Sequence, residues 1–366
     1  MQNTSFRRRL VPAVASGITL ALVLGGCGSS DSGSGTADSS ASESASSLLP
    51  QAEGTTQYPL TLGSPWGETT LEKRPERVAV LTADYDSEYL SMLGTIPVFA
   101  PDDVYDMVWM KNAFPQKVET LQEVPWGEPP YEAVAASRPD VIVATFNTDK
   151  AQYDRLKSIA PVVSVGGSGG REDQGETWRD RMLRVGEALD LRSAAERKIT
   201  EHDEQLASLR AAHPEFTGRT VTYGVYYDTE NGLNFNNAAG SNSERIFFDM
   251  GFEKNPNGEK FADDQKVSNE QLPLLDADVM LLADNSARQA GEKSTLRTIT
   301  DLQLFKNLPV VQDGRTVVYQ NGVDSYTVNG STHDGNFAWA LSESGPLAEQ
   351  WAAQELAPYL SEAVQK

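Results

Sequence analysis

The chain has 366 residues, with 31 Lys and Arg against 52 Asp and Glu, for a formal net charge of −21. An acid surplus of that size argues against nucleic acid as a partner. It suits a protein that stays in solution beside a membrane without lying on anionic lipid. A single cysteine excludes an intramolecular disulfide, so the fold must rest on its apolar core.

Arg7, Arg8 and Arg9 precede an uncharged run from Leu10 to Gly26, which reads as a targeting segment, too short and too rich in Gly and Ser for a membrane span. It ends at Leu24-Gly25-Gly26-Cys27, which resembles a bacterial lipobox. That resemblance implies a lipoprotein signal peptide over residues 1–26, with Cys27 carrying a diacylglycerol as the mature N-terminus. An ordinary secretory signal followed by a buried cysteine is the alternative. Residues 27–57 are rich in Ser, Gly and Ala and read as a flexible tether. About three hundred residues remain, enough for two domains with real cores.

Tyr58 to Leu71, centred on a Gly-Ser-Pro-Trp-Gly turn, reads as a hairpin in which Trp66 packs. Arg77 to Leu81 is a short apolar run of buried-strand type, followed by a polar loop, Thr82 to Asp86, and a helix ending at Gly94. A strand at Ile96 to Ala100 leads into Asp102 to Trp126, a segment rich in aromatics and prolines and weakly periodic. Tyr131 to Ser137 is helical, Asp140 to Ala144 is a buried strand, and Thr145 to Lys150 is its loop. A helix from Ala151 to Ile159, a strand from Pro161 to Val165, the Gly-rich loop 166–175 and a helix from Glu176 to Leu189 complete this half.

Ser193 to Ala212 reads as one helix about 30 Å long, opened by a capping box of Ser193 and Glu196 and closed at His213-Pro214. Ala195, Ile199, His202, Leu206 and Leu209 line one of its faces.

Beyond that helix the pattern restarts. Thr220 to Tyr227 is a strand, Asp228 to Gly240 a polar loop, and Ser241 with Glu244 caps a helix that closes at Gly251. Asn269 to Leu275 is helical, Asp278 to Ala283 is a buried strand, and loop 284–294 follows. A helix around Leu302 to Asn307 leads to Pro309 to Gln312, then a strand at Thr316 to Gln320. A long loop, Asn321 to Asn336, precedes the terminal helices. Glu132 stands eight residues before Asp140, and Glu270 stands eight before Asp278. The expected fold is therefore α/β: two Rossmann-like lobes with mostly parallel sheets, 58–190 and 215–366, joined by one long rigid helix over 191–214. The ligand cleft should lie between the lobes, at the carboxyl ends of the strands.

Arg74 to Val78, Leu93 to Val98, Tyr131 to Val134, Arg138 to Val143 and Tyr153 to Val163 carry a family resemblance. Ser243 to Phe252, Val267 to Leu272, Asp276 to Val279 and Asp313 to Arg315 continue it. In order and spacing the chain resembles the iron-siderophore and cobalamin branch of the substrate-binding proteins of ABC importers, from roughly Pro75 to Tyr359. The resemblance implies capture of a ferric siderophore chelate and its delivery to an ABC permease and its ATPase. It further implies a monomer lipid-anchored to the outer face of the cell membrane, with closure by a small hinge, no cofactor and no chemistry of its own. It also implies one permease-docking glutamate on each lobe, at Glu132 and Glu270.

Topology nominates Tyr85, Trp109, Asn147, Arg171, Tyr227, Asn234, Asn236, Arg288, Tyr326 and His333 as cleft residues. Aromatic faces suit the arms of a bulky chelate, and arginines offset its charge. The iron of a filled chelate needs no direct protein ligand. Haem or cobalamin is the rival cargo, with His333, Tyr227 or Tyr326 as axial candidates. A serine hydrolase is a remoter alternative, with Ser168 in a G-x-S-x-G and His333 downstream, but no helix follows that loop directly. The histidines His202, His213 and His333 are too scattered for a free-metal site.

Overall fold

The computed structural model describes residues 47–366, apart from 126, 147–148, 166–175, 289–291 and 343–344. Two strands of alternating exposure, β1 (Leu60–Ser64) and β2 (Gly67–Leu71), form the expected antiparallel hairpin, with Leu60 opposite Leu71. Trp66 at its turn packs against the core.

The short apolar runs that follow become the strands of the first sheet: β3 (Val78–Val80), β4 (Phe99–Pro101), β5 (Thr120–Gln122), β6 (Val141–Val143) and β7 (Val162–Val163). Their spatial order is β5-β4-β3-β6-β7, and every pairing is parallel. Helices α1 (Asp86–Met92), α2 (Tyr131–Ala136), α3 (Lys150–Lys157) and α4 (Trp178–Ala188) accompany it. β3 and β6 are buried at every residue, as strands covered on both faces must be.

The connecting helix, α5, spans Arg192–Ala212 and buries Ala195, His202 and Leu206 on the expected face. Its cap differs from the expected one. Ser193 and Ala194 donate their backbone N–H groups to Oε2 and Oε1 of Glu53, at 2.7 and 2.8 Å, so the first turn is held from far back in the chain. A carboxylate there satisfies two orphan donors and complements the helix dipole, and it outcompetes the local Ser193–Glu196 box. α4 lies so close to α5 that a Cβ on Gly186 would stand 2.8 Å from the Ala195 Cβ.

The second sheet holds β8 (Val221–Asp228), β9 (Gly232–Phe235), β10 (Lys266–Val267), β11 (Val279–Asp284), β12 (Thr316–Asn321), β13 (Ser325–Val328) and β14 (Ser331–Asp334). Its order is β10-β9-β8-β11-β12-β13-β14; the central β8, β11 and β12 are parallel, and the flanking strands pair antiparallel. The helices here are α6 (Asn242–Met250), the one-turn helices α7 (Arg297–Thr300), α8 (Gln303–Lys306) and α9 (Pro309–Gln312), then α10 (Phe337–Ser342) and α11 (Pro346–Val364). α6 has the expected Ser241 cap and ends on Gly251 at φ 111°. The segment expected as a loop at 321–336 is instead largely the β13–β14 hairpin. Its turn is Asn329-Gly330, both residues at positive φ, a pair suited to a two-residue hairpin connection.

The repeat seen in the sequence has a physical counterpart. Asp140 accepts the backbone N–H groups of Glu76 and Arg77, each at 2.8 Å, just ahead of β3. Asp278 accepts the Thr220 N–H at 2.8 Å, just ahead of β8. Each aspartate fastens the start of its own strand to the neighbouring parallel strand.

α11 packs Ala348, Ala352, Ala353, Leu356 and Leu360 into the second core. It also buries Glu349, which meets Arg245 of α6 at 2.5 Å and lies 3.9 Å from His202 of α5. Burial alone would raise the Glu349 carboxyl, but Arg245 and His202 outweigh it and hold the group below the usual carboxylate range. No helix among the described residues is long and apolar enough to cross a membrane.

Candidate functional site

The loops that leave the carboxyl ends of the strands in both sheets face each other across a cavity of about 290 Å3. From the first sheet come Asp103, Asp106, Met107, Val108 and Trp109, which follow β4. From the second come Arg288 after β11, Val323 and Asp324 after β12, and Gly335, Asn336 and Trp339 beside β14 and α10. Val323 is 57% exposed and Trp339 is 42% exposed, so large apolar surface faces solvent at the mouth of a concave site.

Both tryptophans are held by their indole N–H groups. Trp109 donates to Oε1 of Glu88 at 2.9 Å, and Trp339 donates to Oδ2 of Asp84 at 3.1 Å. Asp84 and Glu88 sit four residues apart, on the turn before α1 and on α1 itself. Trp339 therefore reaches from the second sheet's helices to the first sheet's loop. Glu88 crosses the other way: its Oε2 accepts the N–H of Leu347 at 2.7 Å, in the first turn of α11. Burial pushes Glu88 up to about 8 and Asp84 adds to the rise, while the Leu347, Ala348 and Trp109 donors pull it down.

This crossing depends on Gly345. A Cβ there would meet Glu88 Oε2 at 2.5 Å and the Tyr85 Cα at 3.3 Å, so only glycine lets the carboxylate reach the helix end. Behind Trp109 the aromatic packing continues through Trp351 at 5.2 Å, then Phe337 at 5.0 Å and Tyr326 at 4.2 Å between ring centroids. Gly335 lies against Trp351 at φ 118°, a position that excludes any side chain. Lys111 and Asp334 add a cross-cleft ion pair at 2.9 Å.

Of the residues nominated from the sequence, the structure brings Trp109 and Arg288 together on the cavity wall. Several others are corrected. Tyr85 is buried, stacked on Phe146 at 4.4 Å and hydrogen-bonded from Asn242 at 3.4 Å, so it joins the two halves beneath the cleft. Tyr326 is fully buried on β13; its hydroxyl donates to Glu355 at 3.0 Å, and its ring supports the cleft aromatics without reaching the cavity. His333 is exposed on the edge strand β14 and stacks on Tyr326 at 5.0 Å. Tyr227 and Asn234 line a different surface depression, beside Lys266. Asn236 is half-buried and donates its backbone N–H to Tyr223, away from the described cavity wall. Asn147, Arg171, Ser168 and Cys27 lie outside the described residues. Glu132 and Glu270 are exposed, each in the first turn of its helix, α2 and the 3-10 helix Asn269–Leu275.

Trp339, Asp84, Glu88, Val323 and the three wall aspartates are not singled out by their residue types in the sequence. The loop positions of Asp103, Asp106 and Asp324, after strands, were the available signal. Among the described residues, no group of three His, Cys, Asp or Glu is gathered to hold a metal ion.

Two sheets with a ligand-sized space at their facing carboxyl edges, joined through one long helix, narrow the family. A family model for periplasmic binding proteins matches residues 78–321. The chain belongs to that family. Among periplasmic binding proteins and their relatives, it is 26% identical to the Fe(3+)-citrate-binding protein YfmC of Bacillus subtilis over 324 residues, 88% of this chain and 92% of that one. The probable siderophore-binding lipoprotein YfiY of the same organism is 26% identical over 80% of this chain and 85% of its own. In fold, the chain is similar to Streptococcus pneumoniae PiaA in complex with ferrichrome, with a TM-score of 0.63 at 20% identity, covering 83% of this chain and 98% of PiaA. It is likewise similar to Staphylococcus aureus SirA complexed with staphyloferrin B, with a TM-score of 0.57 at 20% identity over 84% and 98% of the two chains.

Proposed function

We propose that this periplasmic binding protein is an extracytoplasmic receptor that captures a ferric siderophore chelate and delivers it to an ABC permease. The observation that carries the reading is the cavity at the carboxyl edges of both sheets, walled by Trp109, Trp339 and Val323. Such a wall takes up a bulky cargo through aromatic and apolar faces and leaves the iron to its own chelator. The relatives named for Fe(3+)-citrate binding and for probable siderophore binding support the choice of cargo. A lipid on Cys27 would hold the receptor at the outer face of the membrane; the tether expected over 27–57 ends earlier, because Glu53 caps α5 and the Gly54, Thr55 and Thr56 N–H groups donate to Asp190. Glu132 and Glu270, exposed and repeat-related, are assigned to permease docking, where paired acids set register and encounter rate more than affinity.

Haem or cobalamin is the second cargo class. The described wall contains no His or Tyr as an axial ligand for either, and Met107 is its one side chain of a haem-ligating type. Intrinsic fluorescence quenching of the full-length chain by ferric chelates, haem and cobalamin tests the reading. Saturable quenching by a ferric chelate is expected. A saturable response to haem alone, with silence toward every chelate, overturns it.

A further inference from the structure

Among the described residues, the cavity wall offers π faces and carboxylates, with Arg288 as its one cationic group. The two indole N–H groups, which could have donated to an anionic cargo, are already committed to Glu88 and Asp84. Trp109 and Trp339 are thereby tied back by their polar edges, which leaves the electron-rich ring faces for apolar or cationic contact. The Asn336 amide is committed as well, donating to the Val323 carbonyl at 2.9 Å and accepting the Trp339 backbone N–H at 3.1 Å. Lys111, the next cation along from Trp109, is engaged by Asp334 at 2.9 Å. Arg288 is the one basic side chain on the described wall.

Against that single guanidinium stand Asp103, Asp106 and Asp324, none of which has a cationic partner among the described residues. Desolvation at the cavity mouth, reinforced by Asp102 and Asp106, raises Asp103 above the usual carboxylate range, as expected where like charges crowd together. Water hydrates these carboxylates while the cleft is open. A bulky cargo displaces that water, and the local charge balance then decides which cargo is tolerated.

We infer that the cleft selects ferric chelates of zero or positive net charge, of the hydroxamate type, and discriminates against anionic ones. This rests on the chelate-receptor reading above and deepens it. Three hydroxamate arms, each singly charged, neutralise ferric iron, and a pendant ammonium makes the complex cationic. Three catecholate arms leave a trianion, and ferric citrate is anionic as well. The neutral and cationic chelates present apolar or positive surface to the tryptophan faces and the aspartates. The anionic chelates present negative charge to three carboxylates with, among the described residues, one arginine to offset it.

The test is fluorescence-quenching titration of the full-length chain with four probes: a neutral ferric trihydroxamate, an ammonium-bearing ferric trihydroxamate, a ferric tris-catecholate and ferric citrate. The same titrations are run on the triple variant Asp103→Asn, Asp106→Asn, Asp324→Asn, whose exposed sites leave the core untouched. For the native chain the hydroxamates are expected to bind at least about tenfold tighter than the anionic chelates, with the gap narrowing as salt is raised. In the variant, affinity for the anionic chelates should rise about tenfold while the neutral chelate stays within about twofold. Tighter or equal binding of the anionic chelates by the native chain, or an unchanged ratio in the variant, overturns the inference while leaving the receptor function intact. Saturation by none of the four probes overturns the receptor reading, and this inference with it.

Discussion

Glu88 accepts the indole N–H of Trp109 at 2.9 Å while its second carboxylate oxygen caps the start of α11. One side chain thus holds a wall of the cleft and also joins the two halves of the molecule. Removing it in Glu88→Ala leaves the half-buried Trp109 indole donor and a helix N-terminus unpaired, and should cost about 2–4 kcal/mol in chemical denaturation. Glu88→Gln keeps one acceptor but turns an NH2 toward the other donor, so its loss should be smaller, about 1–3 kcal/mol.

The same carboxyl makes stability depend on pH. In the folded chain its value is raised from 4.5 to about 8, so the folded state keeps a proton that the unfolded state releases. Its contribution is complete below about 4.5 and is lost as pH climbs toward 8, at about 1.4 kcal/mol per unit of difference. Glu88→Gln cannot titrate. Thermal melts of both proteins from acid to mildly alkaline pH should therefore show the native chain's advantage shrinking steadily; a constant gap would contradict the assignment.

Two glycines separate cleft geometry from simple stability. Gly345→Ala places a Cβ 2.5 Å from Glu88 Oε2 and should force α1 and α11 apart, costing about 1–3 kcal/mol and weakening ligand binding as well. Gly186→Ala meets Ala195 at 2.8 Å, in the α4–α5 contact. It should cost a similar amount in denaturation but leave the ligand affinity of the folded protein unchanged.

Trp109 and Trp339 should report cargo directly. Trp339→Ala removes a 42%-exposed ring and should weaken chelate binding about tenfold, at a cost of about 1–2 kcal/mol because the buried Asp84 loses its indole donor. Trp109→Phe keeps a face but frees Glu88, so it should lose stability as well as part of the quenching signal.

The docking assignment is separable from capture. The charge reversals Glu132→Arg and Glu270→Arg lie on exposed first turns, so chelate affinity should stay within about twofold. Delivery of labelled iron chelate through the permease should fall at least about tenfold when both are changed, steeply enough to read in reconstituted vesicles.

Much of the architecture was legible because the strands are written as short apolar runs, RVAVL, DVIVA and DVMLLA, each preceding a polar loop. The long helix was legible for the same kind of reason, its apolar residues falling on one face. The hairpin at 325–334 was missed because its strands, SYTV and STHD, are mostly polar, although Asn329-Gly330 marked the turn. Tyr326, read as a loop aromatic, points inward once it is placed on that strand. Glu88 could not be found at all. A glutamate in DSEYLSM reads as solvated, and only the approach of α11, made possible by Gly345, buries it.

The cargo should sit between the Trp109 and Trp339 faces of the cleft. Equilibrium dialysis of an iron-labelled ferric chelate against the native chain and against a Trp109→Ala, Trp339→Ala double variant tests this most directly, with circular dichroism confirming that the variant is folded. One chelate bound per native chain, and loss of nearly all binding in the folded variant, is the result expected of a cleft between the two sheets. Undiminished binding in the variant would place the cargo elsewhere and contradict the account.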